Sequence, residues 1–334
     1  MRNQDQTAQV VAQYRGKYRV RNDKNEFWAE VTGKMMFTAE SKTDYPVVGD
    51  RVTISELESN HAVIQGILPR KTFLQRKAAG KDDVQPIAAN IDVAFIVQAA
   101  DRDFNLNRFE RYLTIINAGK IEPVIILNKI DLISKMELDE NITQIKDRFR
   151  KIEVVATSVA DRSGIEKLRE VIKKGKLYCF VGSSGVGKSS IINGLLGKEL
   201  IKTKSISTST KKGRHATTHR ELFVLENGAM VVDNPGIREV GVVNVGEAII
   251  NVFDDISELA KECQFADCTH DHESGCAVLA ALKSGELSEA KYLNYIKLKK
   301  EADYFAMSSL EKRQKNRSFG RMVKNFEKFK KKGG

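Results

Sequence analysis

KLYCFVGSSGVGKSSIINGLLG, residues 176–197, reads as an apolar strand, a glycine-rich loop and a helix in immediate succession. Its loop, GSSGVGKS, matches G-x-x-x-x-G-K-[ST] without mismatch and stands between strand and helix, the context that motif requires. Gly182, Gly185 and Gly187 let backbone N–H groups curl around phosphate oxygens, and the helix N-terminus adds partial positive charge. The expected cradle runs through Gly182, Ser183, Ser184, Gly185, Val186, Gly187, Lys188, Ser189 and Ser190. Lys188 is expected to reach the β and γ phosphates, and Ser189 to ligate Mg²⁺. A Gly/Ser turn without function is the plain alternative, and the flanking strand and helix weigh against it.

Outward from this loop, further loops supply the rest of a nucleotide site. Upstream, EPVIILNKIDL (122–132) is a buried-type strand that opens into Asn-Lys-x-Asp. At the carboxyl end of such a strand, Asn128, Lys129 and Asp131 sit where parallel sheets bind ligands. A carboxylate facing guanine accepts from N1–H and N2–H₂, donors that adenine lacks, so Asp131 reads the base. ATSVADRSG (156–164) resembles a companion loop, with the backbone of Ser158 and Val159 toward the guanine oxygen. Downstream, MVVDNPG (230–236) ends a strand in Asp-x-x-Gly, so Asp233 is expected to hold Mg²⁺, through water, and the Gly236 N–H to sense the γ-phosphate. Between the phosphate loop and that strand lies the polar, Thr-rich KSISTSTKKGRHATTHR (204–220), which has the look of a switch ordered by γ-phosphate and Mg²⁺. Thr217 or Thr218 would give the metal its second hydroxyl; an ordinary exposed loop is the alternative.

The base loop thus precedes the phosphate loop. A parallel sheet is indifferent to which strand comes first, provided every strand ends at the same nucleotide. Joining the helix after the companion loop to the phosphate-loop strand through KKGK (173–176) preserves every contact in rotated order. The pattern is that of a circularly permuted GTP-binding α/β domain, expected over residues 91–245.

Residues 1–75 carry about five short alternating stretches broken by Gly, Asn and Asp, the pattern of a small β-barrel. An OB-type barrel and an SH3-like module both fit. Residues 76–90 (RKAAGKDDVQPIAAN) read as a polar linker, and 246–334 as helical around a Cys/His-rich interruption. There, CQFADCTHDHESGC places Cys263, Cys268, His270 and Cys276 as C-x4-C-x-H-x5-C, a donor set that closes a tetrahedral structural Zn²⁺ site; His272 competes as ligand. Cys179, inside the phosphate-loop strand, reads as a buried apolar cysteine. Residues 291–334 hold 14 Lys/Arg against 4 Asp/Glu, nearly all of the chain's net +11. Such a basic arm, interleaved with aromatics, suits RNA better than a membrane, although a solvated tail has the same composition. The chain has no apolar run of membrane-crossing length and no apolar signal core at its start, so it is expected to be cytoplasmic and, with no oligomerisation signal, a monomer.

Permuted motif order, a β-rich N-terminal module and C-x4-C-x-H-x5-C together resemble the RsgA (YjeQ) family of small-ribosomal-subunit-dependent GTPases. The resemblance covers about residues 5–310. It implies an OB-fold on 16S ribosomal RNA, a permuted GTPase domain, and a zinc-binding helical domain ligated by Cys263, Cys268, His270 and Cys276. It also implies late 30S maturation, in which the protein binds the subunit, is stimulated to hydrolyse GTP to GDP, and leaves. An RNA-binding assembly scaffold with a merely structural nucleotide is the competing expectation. The family's switch histidine carries onto His215, which matters because Ile237 stands where a water-orienting Gln is usual. Two departures are Ala216, where the family commonly has Thr, and Asn234 in place of a small Ser or Thr.

Overall fold

The computed structural model describes residues 6–77, 83–101, 104–198, 220–233 and 245–308, and beyond these positions 310–312, 314 and 317. The chain divides into two compact units, residues 1–241 and 242–334.

The first unit opens with five short strands in which alternate side chains are buried. They are β1 (Gln6–Gln13), β2 (Tyr18–Arg21), β3 (Glu26–Val31), β4 (Arg51–Glu56) and β5 (His61–Ile67); helix α1 (Gly33–Thr38) lies between β3 and β4. They hydrogen-bond in the order β1-β2-β3-β5-β4, and β4 returns to β1, so the sheet closes into a barrel. Every pairing is antiparallel except β3 with β5. The inward set, among them Val10, Val20, Phe27, Val52, Ile54 and Ile64, forms the barrel core. Closure with one parallel pair is the OB arrangement rather than the SH3-like one. An irregularity in β1 between Val10 and Ala12 shifts the register against β2. Such a bulge bends a strand and sharpens its twist, and along the edge away from β2, β1 indeed serves two partners: Gln6–Gln9 pair with β4, and Ala12–Gln13 pair elsewhere.

Strands β6 (Phe73–Lys77) and β7 (Val84–Ala89) form an antiparallel pair. They occupy much of the stretch expected to be a linker. The apolar end of β7 explains the difference: Ile87, Ala88 and Ala89 are buried despite their polar flank.

The α/β layer follows with β8 (Val93–Ala99), α2 (Leu106–Ala118), β9 (Glu122–Asn128), α3 (Lys135–Arg148), β10 (Glu153–Thr157), α4 (Ile165–Val171), β11 (Leu177–Val181), α5 (Lys188–Leu196), β12 (Arg220–Val224) and β13 (Met230–Asp233). Its sheet order is β10-β9-β8-β11-β13-β12, parallel throughout except for β12. Each residue of β8 and β11 is buried, as continuous apolar strands covered on both faces must be. β12 and β13 turn on Asn227-Gly228, as their sequence predicts. The sheet does not stop at β12, because that strand pairs antiparallel with β1, making eleven strands continuous through the barrel.

The second unit holds α6 (Gly246–Val252), α7 (Asp254–Ala260), α8 (Ala277–Ser284) and α9 (Glu289–Ala306). Phe253, Ile256, Val278 and Leu298 are fully buried, and the Phe253 ring meets Tyr295 edge-on at 5.4 Å. α9 therefore buries an apolar face that includes Tyr292, Tyr295 and Leu298. Phe319, Phe326 and Phe329 lie outside the described residues.

Candidate nucleotide site and candidate metal centre

The parallel register sets the site. Ala99, Asn128 and Thr157 end β8, β9 and β10 in one cross-strand row, so the loops that follow leave from one edge of the sheet. β11 leaves the same edge into the glycine loop, and β13 ends there in Asp233.

Within the glycine loop, Gly187 has φ +98° and a Cβ there would lie 2.2 Å from Asn128 Nδ2; only glycine fits. Gly182 is equally constrained, since a Cβ would stand 2.2 Å from the Val97 carbonyl oxygen. Both close approaches come from neighbouring strands, so the loop is moulded by the sheet before any ligand arrives. Lys188 begins α5, and its ammonium donates to the carbonyls of Gly182 (2.8 Å) and Ser183 (2.6 Å). That position suits a cation that exchanges loop carbonyls for phosphate oxygens. Ser189 follows in the first turn, half-buried, as is Asp233.

Asn128 is buried and joins three loops. Its Nδ2 donates to the Val186 carbonyl in the phosphate loop at 2.7 Å, and its Oδ1 accepts from Thr157 Oγ1 at 3.0 Å. Lys129 adopts φ +62°, which turns the chain sharply at the strand end, and Asp131 follows on the exposed single turn Ile130–Leu132. The buried Ser158 hydroxyl donates to Asp131 Oδ1 at 2.6 Å and so aims the carboxylate. The Ser158 N–H itself donates to the Ser163 carbonyl at 2.9 Å. Of the two backbone groups expected to face guanine, that one is therefore committed within its own loop, and Val159 is the better candidate. Sequence reasoning missed Thr157 as the anchor of Asn128; the only available signal was its place directly before Ser158. His215, Thr217, Thr218 and Gly236 lie outside the described residues, as do Ala216, Asn234 and Ile237.

In the second unit, Cys263, Cys268, His270 and Cys276 bring one ligand atom each to within 4.8 Å of the others. Cys263 Sγ lies 3.8 Å from Cys276 Sγ, and His270 Nδ1 lies 3.6 and 3.5 Å from those sulfurs. A tetrahedral Zn²⁺ with bonds of about 2.3 Å to sulfur and 2.0 Å to nitrogen has ligand–ligand edges of about 3.5–3.8 Å. The donor set therefore fits zinc in size as well as chemistry. Burial, then the nearby Lys299 ammonium, lower the His270 pKa, which keeps the imidazole neutral and able to coordinate. Its carbonyl accepts from the Tyr292 hydroxyl at 2.7 Å, fixing a residue at φ +64°. Cys276 caps α8, its sulfur accepting from Leu279 N at 3.4 Å. The sequence had also missed Glu273. Its carboxylate accepts from the N–H groups of Thr269, Asp271 and His272 and from the Thr269 hydroxyl, and these bonds hold its pKa well below the usual range. His272 is exposed and outside the cluster. Cys179 is buried, and desolvation pushes its thiol up to about 12, so it is inert.

Residues 67–243 match the family described as RsgA GTPase. Small ribosomal subunit biogenesis GTPase RsgA 1 of Bacteroides thetaiotaomicron is 40% identical over 96% of this chain and 89% of its own. RsgA 2 of Lactiplantibacillus plantarum is 40% identical over 93% and 88%. Among solved structures, YjeQ from Thermotoga maritima superposes with a TM-score of 0.65 at 25% identity, covering 88% of this chain and 97% of that one. YloQ, described as a circularly permuted GTPase, gives 0.64 at 23% identity and corroborates the fold.

Proposed function

The chain belongs to the RsgA GTPase family, and from that premise we propose how its parts divide the work of a GTP hydrolase in small ribosomal subunit biogenesis. The barrel, about residues 1–75, engages 16S ribosomal RNA. The permuted domain, about 91–245, binds and hydrolyses GTP. The zinc unit with its basic tail, 246–334, steadies the protein on the subunit. Hydrolysis, stimulated by the 30S particle, times release.

The observation that carries this reading is Asn128. One buried side chain hydrogen-bonds both the phosphate loop at Val186 and the companion loop at Thr157, next to an Asp131 that Ser158 aims. Base recognition and phosphate grip are thereby built as one object, which is what a guanine-specific hydrolase needs and a casual glycine turn does not.

In this reading Ser189 and Asp233, with Thr217 or Thr218, hold Mg²⁺, which neutralises phosphate charge when bound. His215 orients the attacking water. Zn²⁺ on Cys263, Cys268, His270 and Cys276 is structural, with every ligand position filled by protein. The protein works as a cytoplasmic monomer; among the described residues no helix is long and apolar enough to cross a membrane.

The deciding experiment measures GTP and ATP turnover with and without small subunits. GTP-selective turnover that rises on adding 30S particles is expected. Tight subunit binding with no rise would instead favour the scaffold, and equal use of ATP would overturn the guanine site.

A further inference from the structure

The cross-strand registers line up in a way that no motif announces. Asp233 on β13 faces Glu221 on β12, Glu221 faces Ala12 on β1, Ala12 faces Arg19 on β2, and Arg19 faces Trp28 on β3. A single row thus runs from the candidate metal-holding carboxylate to an exposed tryptophan on the barrel, where Arg19 lies 5.7 Å from the Trp28 ring centroid. At about 4.8 Å per strand the four steps span about 19 Å. The row crosses the joint where, among the described residues, β1 and β12 pair through Ala12–Glu221 and Gln13–Arg220.

Arg220 reinforces that joint with its side chain. Its Nη1 donates to the Pro86 carbonyl on β7 at 2.8 Å and to Gln13 Oε1 on β1 at 3.4 Å. Gln13 in turn donates from Nε2 to the Pro46 carbonyl at 3.4 Å. One guanidinium therefore ties the first strand after the 204–220 segment to the barrel and to the hairpin. Burial, then the neighbouring Arg76 guanidinium, depress its pKa to about 10, so it stays charged at neutral pH. Burying the guanidinium carries a desolvation cost, which its bonds to the Pro86 carbonyl and Gln13 offset.

We infer that Arg220 is a positioning residue of the subunit-stimulated reaction: it clasps β12 to β1 and β7, so that engagement of the barrel is felt at the nucleotide edge of the sheet. The inference rests on the functional reading above. It asks for one physical thing: the β1–β12 joint must be stiff when the clasp is made and compliant when it is not. Coupling then requires no contact between RNA and nucleotide, only a continuous hydrogen-bonded sheet with both at its ends.

The test uses the full chain as wild type, Arg220→Met and Arg220→Lys. Turnover of GTP is measured alone and with 30S particles, beside the affinity for a fluorescent GDP analogue. Arg220→Met retains volume and should leave intrinsic turnover and GDP affinity within about twofold, while stimulated turnover falls about tenfold, a normal size for a coupling between sites. Arg220→Lys retains a donor for the Pro86 carbonyl and should recover much of that loss. Full stimulation in a folded Arg220→Met protein overturns the inference, as does a parallel fall of intrinsic turnover and GDP affinity. If Arg220→Met does not fold, Gln13→Ala, which removes one partner only, must reduce stimulation in the same direction, or the inference fails. A wild type that 30S particles do not stimulate sinks the functional reading as well, and that arm is read first.

Discussion

At the scale of single residues, discrimination rests on which donors a ligand can offer to groups already aimed. Asp131 is exposed yet held by Ser158, so its carboxylate is already aimed, as the proposed guanine contact requires. Replacing it by Asn swaps one acceptor for an amide donor, which suits a purine carrying a carbonyl at C2. Asp131→Asn should lower GTP affinity by about 10²-fold or more and raise xanthosine triphosphate affinity, as read by competition against a fluorescent nucleotide. An unchanged preference would remove Asp131 from the base site. Glu273 works by similar economy in the second unit, gathering N–H groups that the loop would otherwise leave to water. Its folded pKa is depressed, so its contribution is complete above the ordinary glutamate range of about 4.3 and is lost as pH falls through the lower folded value. Glu273→Gln keeps shape but gives up the charge-assisted bonds. It should weaken retention of zinc against a chelator several-fold while leaving GTP affinity unchanged; equal retention would make the carboxylate incidental.

At the scale of elements, the strands and loops of the candidate nucleotide site were legible because their information is local. An apolar run such as LYCFV, closed by a glycine loop, declares both its burial and the direction in which it points. The Cys/His cluster was legible for the same reason, as four possible donors fall within a short stretch. What escaped was non-local. Thr157 anchors Asn128 only because β9 and β10 are in register, and the β1–β12 joint exists only because a bulge near Val11 bends β1 between two partners. The β6–β7 pair was hidden by its polar ends, since Lys, Asp and Gln outvote the four buried residues of β7 in any compositional reading. Register also explains why the glycine loop tolerates no side chain where it meets a neighbour. Gly187→Ala would force a Cβ against Asn128 at a φ that only glycine adopts without strain. A loss of about 1–3 kcal/mol of stability is expected, together with loss of GDP binding. A chemical-denaturation curve beside a nucleotide titration measures both, and a variant that binds normally would show that the Asn128 contact yields.

At the scale of the whole molecule, the two units draw on different sources of stability. The first has long buried strands and two cores, in the barrel and around the parallel sheet. Among the described residues the second is built from α6, α7, α8 and α9, of 7, 7, 8 and 18 residues, and short helices of this kind gain much from a crosslink. Cys263 follows α7 and Cys276 caps α8, so the Zn²⁺ of the proposed function, held between them with Cys268 and His270, would be that crosslink. Ligands that are assembled only in the folded chain make metal affinity part of folding free energy. Stripping zinc with a strong chelator should therefore lower the melting temperature of a helical transition and expose three thiols to a thiol reagent. Fluorescent GDP binding and intrinsic GTP turnover, assigned in the proposed function to the permuted domain of about residues 91–245, should persist in the same sample. Subunit-stimulated turnover should fall, because α9, whose Tyr292 donates to the His270 carbonyl, begins the stretch beyond residue 290 that carries +10 in sequence. Calorimetry, thiol titration and the two turnover assays on one chelated preparation decide it. Simultaneous loss of GDP binding would mean that the ion supports both units, and unchanged thiol reactivity would mean that the four ligands hold together without it.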